Sequence, residues 1–135
     1  MIPAGTVLFR ADPVLARQLL TSMTRGGRRL YIFVNGTVSS QINELLAQLD
    51  TAVIMRSASN VGQGAALNAI VSAAADAGDE HIVLFDQDSS PDPSYPECLF
   101  DAVASVYSEA HLAAAGPRLL PPDGSGYLRV RPYPD

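Results

Sequence analysis

Two carboxylates stand two positions apart at the end of an apolar run. The run Ile82-Val-Leu-Phe85 is followed directly by Asp86, Gln87 and Asp88. In an extended strand, side chains at positions i and i+2 point to the same side, so both carboxylates would converge where the strand leaves its sheet. Two hard oxygen donors there suit a divalent cation that carries a diphosphate. The alternative is a turn in which Asp86 is a cap and Asp88 is solvated, because Asp, Ser and Pro are common turn residues.

The amino-acid composition and net charge exclude several kinds of site and partner. The chain has 135 residues, of which 47% are hydrophobic, as expected for one globular domain. Its formal net charge of -5 argues against a nucleic-acid partner. The nine basic residues are all arginine, which excludes a lysine nucleophile and a Walker-type phosphate loop. A single cysteine, Cys98, and the lack of a signal-like or membrane-spanning run favour a cytoplasmic location.

Short β-like runs alternate with helical patterns, which predicts an α/β fold with a mostly parallel sheet. The predicted strands are Thr6–Arg10, Leu30–Val34, Ala52–Arg56, His81–Phe85 and Leu112–Gly116. Four helices are predicted. The first starts at Asp12-Pro13 with Leu15, Leu19, Leu20 and Met23 inward, and the second carries the apolar stripe Ile42, Leu45, Leu46 and Leu49. The third spans Ala65–Ala77 before Gly78, and the fourth spans about Glu97–Ser108.

Several loops of this predicted fold should gather at one edge of the sheet. They are Phe9-Arg10, Asn35-Gly36-Thr37 and the Asp-Gln-Asp turn, and the glycine-rich segment Asn60–Gly64 can join them. A glycine-rich turn at a helix start can present backbone N–H groups to an anion. Leu67 stands where a third glycine would complete a dinucleotide fingerprint, so that motif fails, and a plain strand-to-helix turn is the alternative.

Four segments, in this order, resemble the nucleotide-sugar-binding half of family-two glycosyltransferases with the GT-A fold, in particular the rhamnosyltransferase-like branch. They are Ile32–Thr37, Asn60–Asn68, Ile82–Ser89 and Ala115–Arg118. The resemblance implies a Rossmann-related three-layer sandwich that is truncated after the nucleotide-binding half. It assigns residues 1–118 to a nucleotide-sugar-binding domain, and residues 119–135 to an irregular tail or the start of the missing acceptor half.

The resemblance also implies roles for individual residues. In that family the Asp-x-Asp motif meets a divalent metal, Mn or Mg, and the ribose and diphosphate of the donor. Asp88 is then expected on the metal and Asp86 near the ribose or the metal, with Gln87 at the variable middle position. The full set expected to bind the nucleotide sugar is Phe9, Arg56, Asn60, Gly62, Asp86, Gln87 and Asp88.

Two departures from the family pattern bear on function. Val34 stands where the family commonly has an Asp that bonds the base, so Val34→Asp is expected to tighten nucleotide binding. No carboxylate after Asp88 is a convincing general base, since Glu97, Asp101, Asp123 and Asp135 fall on a helix face, in a turn or at the terminus. The resemblance implies an inverting transferase for a polysaccharide or cell-envelope glycan, but this chain is expected to lack the base.

The alternatives are a non-catalytic binding or assembly module and, less favoured, a phosphohydrolase of the haloacid-dehalogenase type. The expected partners are a nucleoside-diphosphate sugar and, for a full-length protein, a glycan or lipid-linked acceptor with peripheral membrane association. A homodimer is expected because several apolar residues near the end of the chain would lack cover. These residues are Leu119, Leu120, Tyr127, Leu128 and Val130.

Overall fold

Strands and helices alternate along the chain in the computed structural model, which describes residues 1–106 and 114–116. The elements are β1 (Ala4–Leu8), α1 (Pro13–Thr24), β2 (Leu30–Asn35), α2 (Ser40–Leu46), β3 (Ala52–Ser57), α3 (Gln63–Asp76), β4 (Val83–Phe85) and α4 (Tyr95–Val106). The chain divides into two units, Met1–Glu97 and Cys98–Asp135. The sheet and the helices that cover it belong to the first unit.

The four described strands form one parallel sheet in the order β3-β2-β1-β4. Strand β1 pairs with β2 on one side, starting at Ala4↔Leu30, and with β4 on the other, starting at Ala4↔Val83. The chain winds outward from β1 to β3, and α3 then returns it to the far side of β1. The direction of winding therefore reverses between β1 and β4, and the predicted α/β class with a parallel sheet is confirmed.

Helices cover both faces of the sheet, consistent with a Rossmann-like three-layer fold. Alternate residues of β2 face opposite layers, because side chains along a strand point to alternate sides. Leu30, Ile32 and Val34 pack with α1 and α2, whereas Tyr31 and Phe33 pack with α3. The helix residues in the first layer are Ala16, Leu19, Leu20, Met23, Ile42, Leu45 and Leu46, and those in the second are Ala66, Ile70 and Ala74.

Helix α1 begins as the sequence predicts. The Asp12 carboxylate accepts the backbone N–H groups of Val14 and Leu15 at 2.8 and 3.1 Å, and Pro13 occupies the first turn, where its missing N–H costs nothing. The prediction that Leu15 faces inward is wrong, because its side chain is 41% exposed. The buried stripe starts at Ala16 instead, and Leu15 lies beside it.

Helix α3 lies close to the sheet over Gly5 in β1. A Cβ atom built on Gly5 would lie 2.7 Å from Cγ2 of Ile70 and 3.0 Å from Cδ2 of Leu84. Carbon atoms do not pack at that distance, so the helix can sit here because position 5 has no side chain.

An ion pair between the buried Arg28, just before β2, and the partly exposed Glu97 ties the amino ends of the strands to the first turn of α4. The Arg28 side chain is 3% exposed, and its guanidinium donates to Glu97 Oε1 and Oε2 at 2.9 and 2.8 Å. It also donates to the carbonyl oxygens of Pro93, at 2.9 Å, and Ile2. One side chain thus fixes the N-terminal segment and the loop that follows the Asp-x-Asp motif.

Element boundaries differ from the predictions mainly at the strands. Strand β1 ends at Leu8, so Phe9 and Arg10 lie beyond it, and Arg10 has a left-handed φ of 48° that a strand cannot accommodate. Two residues of the predicted strand Leu112–Gly116, 112 and 113, lie outside the described residues, and the described part, residues 114–116, has no regular structure. The predicted boundary after residue 118 and the apolar residues beyond it also lie outside the described residues. No described helix has the length and apolar composition to cross a bilayer.

Candidate functional site

A cleft of about 480 Å³ opens at the carboxyl ends of the strands, on the α3 side of the sheet. It is lined by Val7, Phe9, Asn35, Asn60, Gly62, Gln63, Leu67, Phe85, Asp86, Gln87 and Asp88. Ligands of open α/β sheets bind in the crevice outside the strand ends where the winding direction reverses. Here that crevice is flanked by Phe9 after β1 and by the Asp-Gln-Asp turn after β4. Six of the seven predicted site residues line this one cleft, and Arg56 does not.

Asp86 and Asp88 sit in a turn rather than in a strand. Strand β4 ends at Phe85, and the Ser89 N–H closes the turn on the Asp86 carbonyl oxygen at 3.0 Å. The alternation of a strand is therefore not what brings the two carboxylates together, although both line the cleft. Both residues are exposed, and within the described part of the chain neither carboxylate forms an ion pair or accepts a hydrogen bond. Their oxygens are available to a ligand.

The pair fits a divalent cation that is shared with a bound phosphate. Among the described residues, no group of three or more His, Cys, Asp or Glu side chains could hold a metal ion alone. Magnesium is typically bound by one or two carboxylates, with waters and substrate phosphates completing its shell, and manganese prefers similar oxygen ligands. Two free carboxylates in an open cleft match that donor set.

Gln87 lies between the two carboxylates, but its polar atoms bond the protein. Its Oε1 accepts the Phe9 N–H at 2.9 Å, and its Nε2 donates to the Phe9 carbonyl oxygen at 3.1 Å. These two bonds join the ends of β1 and β4, 78 positions apart in the sequence.

Asn35 and Asn60 form a second network at the other end of the cleft. Asn35 Oδ1 accepts the Val61 N–H and Asn60 Oδ1 accepts the Gly62 N–H, both at 2.8 Å. Because a backbone N–H can only donate, these bonds fix which amide atom is oxygen. Asn35 Nδ2 then donates to Asn60 Oδ1 at 2.9 Å, which leaves Asn60 Nδ2 as a donor without a partner among the described residues.

The N-terminus of α3 also opens on this cleft. Gly62 is its N-cap residue, with φ 86°, and no side chain caps the first turn. A left-handed φ suits glycine, and nothing lies within 4 Å of where its Cβ would be. The first-turn N–H groups and the helix dipole therefore offer a positive end that a phosphate can reach.

Basic side chains are absent from the described lining of the cleft. Arg10 stacks over the Phe9 ring, 5.2 Å from its centroid. Arg56 donates to Asn43 Oδ1 on α2 at 3.0 Å. Its neighbour Met55 packs with the α3 layer, so Arg56 must face the other side of the sheet. Its predicted role in nucleotide binding has no support from this position.

Val34 does not face the cleft. It is 1% exposed and packs in the core with α1 and α2. The expectation that it opposes a base is therefore wrong, and the residue of β2 that lines the cleft is Asn35. The sequence predicts Asn35 at this edge of the sheet without indicating a role for it. The signal that could have identified it is the alternation along β2, since Asn35 follows Tyr31 and Phe33 on one face.

Behind the cleft, the Phe85 ring contacts the edge of Tyr95, with ring centroids 5.8 Å apart. Burial raises the pKa of the Tyr95 hydroxyl, so this support stays neutral at physiological pH.

No protein-family model matches the chain, and no curated protein matches it either.

Proposed function

We propose that the cleft binds a nucleoside-diphosphate sugar through a divalent cation on Asp86 and Asp88. On this proposal the chain is the donor-binding part of a rhamnosyltransferase-like glycosyltransferase with a GT-A fold, active in polysaccharide or cell-envelope glycan synthesis. The observation that carries the proposal is a pair of carboxylates that have no partner among the described residues, placed where the winding of a parallel sheet reverses. The uncapped N-terminus of α3 in the same cleft supports it.

The spacing of the strands suits a ligand with a phosphate end and a base end. Neighbouring strands lie ~4.8 Å apart, so the ends of β4 and β2 are about 10 Å apart. A nucleotide with its diphosphate at Asp86 and Asp88 can extend across β1 and place its base near Asn35 and Asn60. The free Asn60 amide nitrogen is then a donor for a carbonyl oxygen of the base.

Different groups in the cleft would bind different parts of the proposed donor. A divalent cation, when bound, neutralises the charge that grows on the leaving nucleoside diphosphate. Asp86 and Asp88 hold that charge in place, and the first-turn N–H groups of α3 can bond phosphate oxygens. The titratable side chains in the described lining are these two aspartates, so the proposal covers donor binding and stabilisation of the leaving group. Deprotonation of an acceptor needs a further residue.

Calorimetry with uridine and thymidine diphosphates, with and without Mn²⁺, tests the proposal. Asp88→Asn removes a charged ligand and should weaken Mn²⁺-dependent binding by about tenfold or more. Asp50→Asn is the matched control, because it makes the same charge change at an exposed residue before β3, at the opposite edge of the sheet. If Asp88→Asn binds as tightly as the parent, the carboxylate pair is not the metal site. If the parent binds neither nucleotide, the non-catalytic module is favoured instead.

A further inference from the structure

Gln87 connects the Asp-Gln-Asp turn after β4 to Phe9, which follows the end of β1. Both polar atoms of its side chain bond the backbone of Phe9, at 2.9 and 3.1 Å. We propose that Gln87 is a positioning residue, which holds Asp86 and Asp88 in the geometry that binds the cation, rather than a residue that recognises the nucleotide. This inference rests on the proposed function where it concerns the cation.

The Gln87 side chain extends the pairing of β1 with β4 beyond the end of the ladder. The last paired residues are Thr6↔Phe85. Past that point the Gln87 amide bonds both the N–H and the carbonyl of Phe9, the two-bond exchange that a hydrogen-bonded residue pair makes in an antiparallel ladder. A side-chain amide can do this because it carries the same donor and acceptor as a peptide group. Asn is one methylene shorter, and an ionised Glu has no donor.

The turn needs such a connection because its own structure is weak. Strand β4 has three residues, and the turn is closed by one backbone hydrogen bond, from Ser89 to Asp86 at 3.0 Å. Asp86 and Asp88 carry like charges two positions apart, which favours an opened turn when no cation is present. With Gln87 bonded to Phe9, the turn is already ordered before the cation binds, so binding does not have to supply the ordering free energy.

Gln87→Met tests this role, because methionine keeps the length of the side chain and removes both hydrogen bonds. Loss of groups that orient metal ligands typically costs 10–100-fold in affinity, so Mn²⁺ binding measured by electron paramagnetic resonance should weaken about tenfold. Thr24→Val is the matched control. It also removes a side-chain bond to a backbone carbonyl, from Thr24 Oγ1 to Leu20 at 3.0 Å, but at the end of α1. Its Mn²⁺ affinity should equal that of the parent.

Two readouts need no metal. Hydrogen exchange of the Phe9 amide should be slow in the parent and faster in Gln87→Met, because Gln87 Oε1 is its acceptor. Gln87→Glu should be destabilised at neutral pH, where a carboxylate oxygen faces the Phe9 carbonyl.

Each result decides a separate point. Gln87→Met with the Mn²⁺ affinity of the parent would show that Gln87 does not position the carboxylates. Rapid exchange of the Phe9 amide in the parent would overturn the two hydrogen bonds themselves, whatever the metal does. A parent that protects this amide and loses the protection in Gln87→Met, yet binds no Mn²⁺, would overturn the proposed function and with it the metal-positioning role.

Discussion

Replacing Glu97 by Gln tests the ion pair between Glu97 and the buried Arg28. The substitution keeps an oxygen acceptor for the guanidinium of Arg28 but removes the negative charge. Arg28 would then remain 3% exposed with a positive charge that no carboxylate offsets. Its other bonds, to the Ile2 and Pro93 carbonyls, go to neutral groups, and its Nε has no partner among the described residues.

The expected loss of stability follows from the unequal exposure of the two partners. Breaking a fully buried pair by removing one charge costs about 3–5 kcal/mol, because the other charge stays buried. The Glu97 side chain is 38% exposed, so water already screens part of the attraction, and Gln keeps an acceptor. We therefore expect Glu97→Gln to lower the free energy of unfolding by about 2–3 kcal/mol. Asp79→Asn, beside the half-exposed Arg29, keeps an oxygen that can accept the Tyr31 hydroxyl and should lower the free energy of unfolding by less than about 1 kcal/mol.

Urea denaturation of the parent and both variants measures these values, and its pH dependence tests the cause. The Arg28 hydrogen bond is the main reason that the pKa of Glu97 is lowered from its ordinary value of 4.5. A lowered folded-state pKa stabilises the fold above the ordinary value, and that contribution is lost as the pH falls through the folded-state pKa. The stability difference between parent and Glu97→Gln should thus be constant from neutral pH to about 4.5 and narrow below it. Equal losses in the Glu97 and Asp79 variants, or a difference that never narrows in acid, would refute this reasoning.

Four further substitutions, three in the core and a control at Gly64, are tested by the same denaturation assay. Gly5→Ala should lower the free energy of unfolding by about 1–3 kcal/mol, because the new Cβ would lie 2.7 Å from Ile70. Gly64→Ala is the control at a helical position with open space around it, and it should leave the free energy of unfolding unchanged or raise it by up to about 1 kcal/mol. A Gly5 variant as stable as the Gly64 variant would contradict the close approach of α3. Thr6→Val should stabilise the fold by about 1 kcal/mol, since the buried Thr6 hydroxyl has no hydrogen-bond partner among the described residues. A loss of stability in this variant would show that the hydroxyl is bonded. Val34→Asp should lose several kcal/mol or unfold, because it buries a carboxylate in the core, and a folded variant with tighter nucleotide binding would restore the role first predicted for position 34.

Local patterns in the sequence were sufficient for the order and type of the elements from β1 to α4, but the strand predicted at Leu112–Gly116 is irregular in its described part. The Asp12-Pro13 helix start depends on a cap and a first-turn residue that lie next to each other in the chain. The carboxylates after the run that ends at Phe85 were likewise found without the structure, because a strand end followed by turn residues is a local signal. The gathering of these loops at one edge followed from the parallel sheet, in which all strands end on the same side.

The tertiary structure decided which side chains of those loops face the cleft. The faces of β2 are set by which helices pack on each side, and this places Val34 in the core and Asn35 at the site. The same cause turns Arg56 toward α2. The bonds between Gln87 and Phe9 join residues 78 positions apart, and they exist because α3 returns the chain to the far side of β1. Hydrogen bonds between distant segments leave no periodic or local pattern in the sequence, so the side-chain partners at this site had to come from the fold.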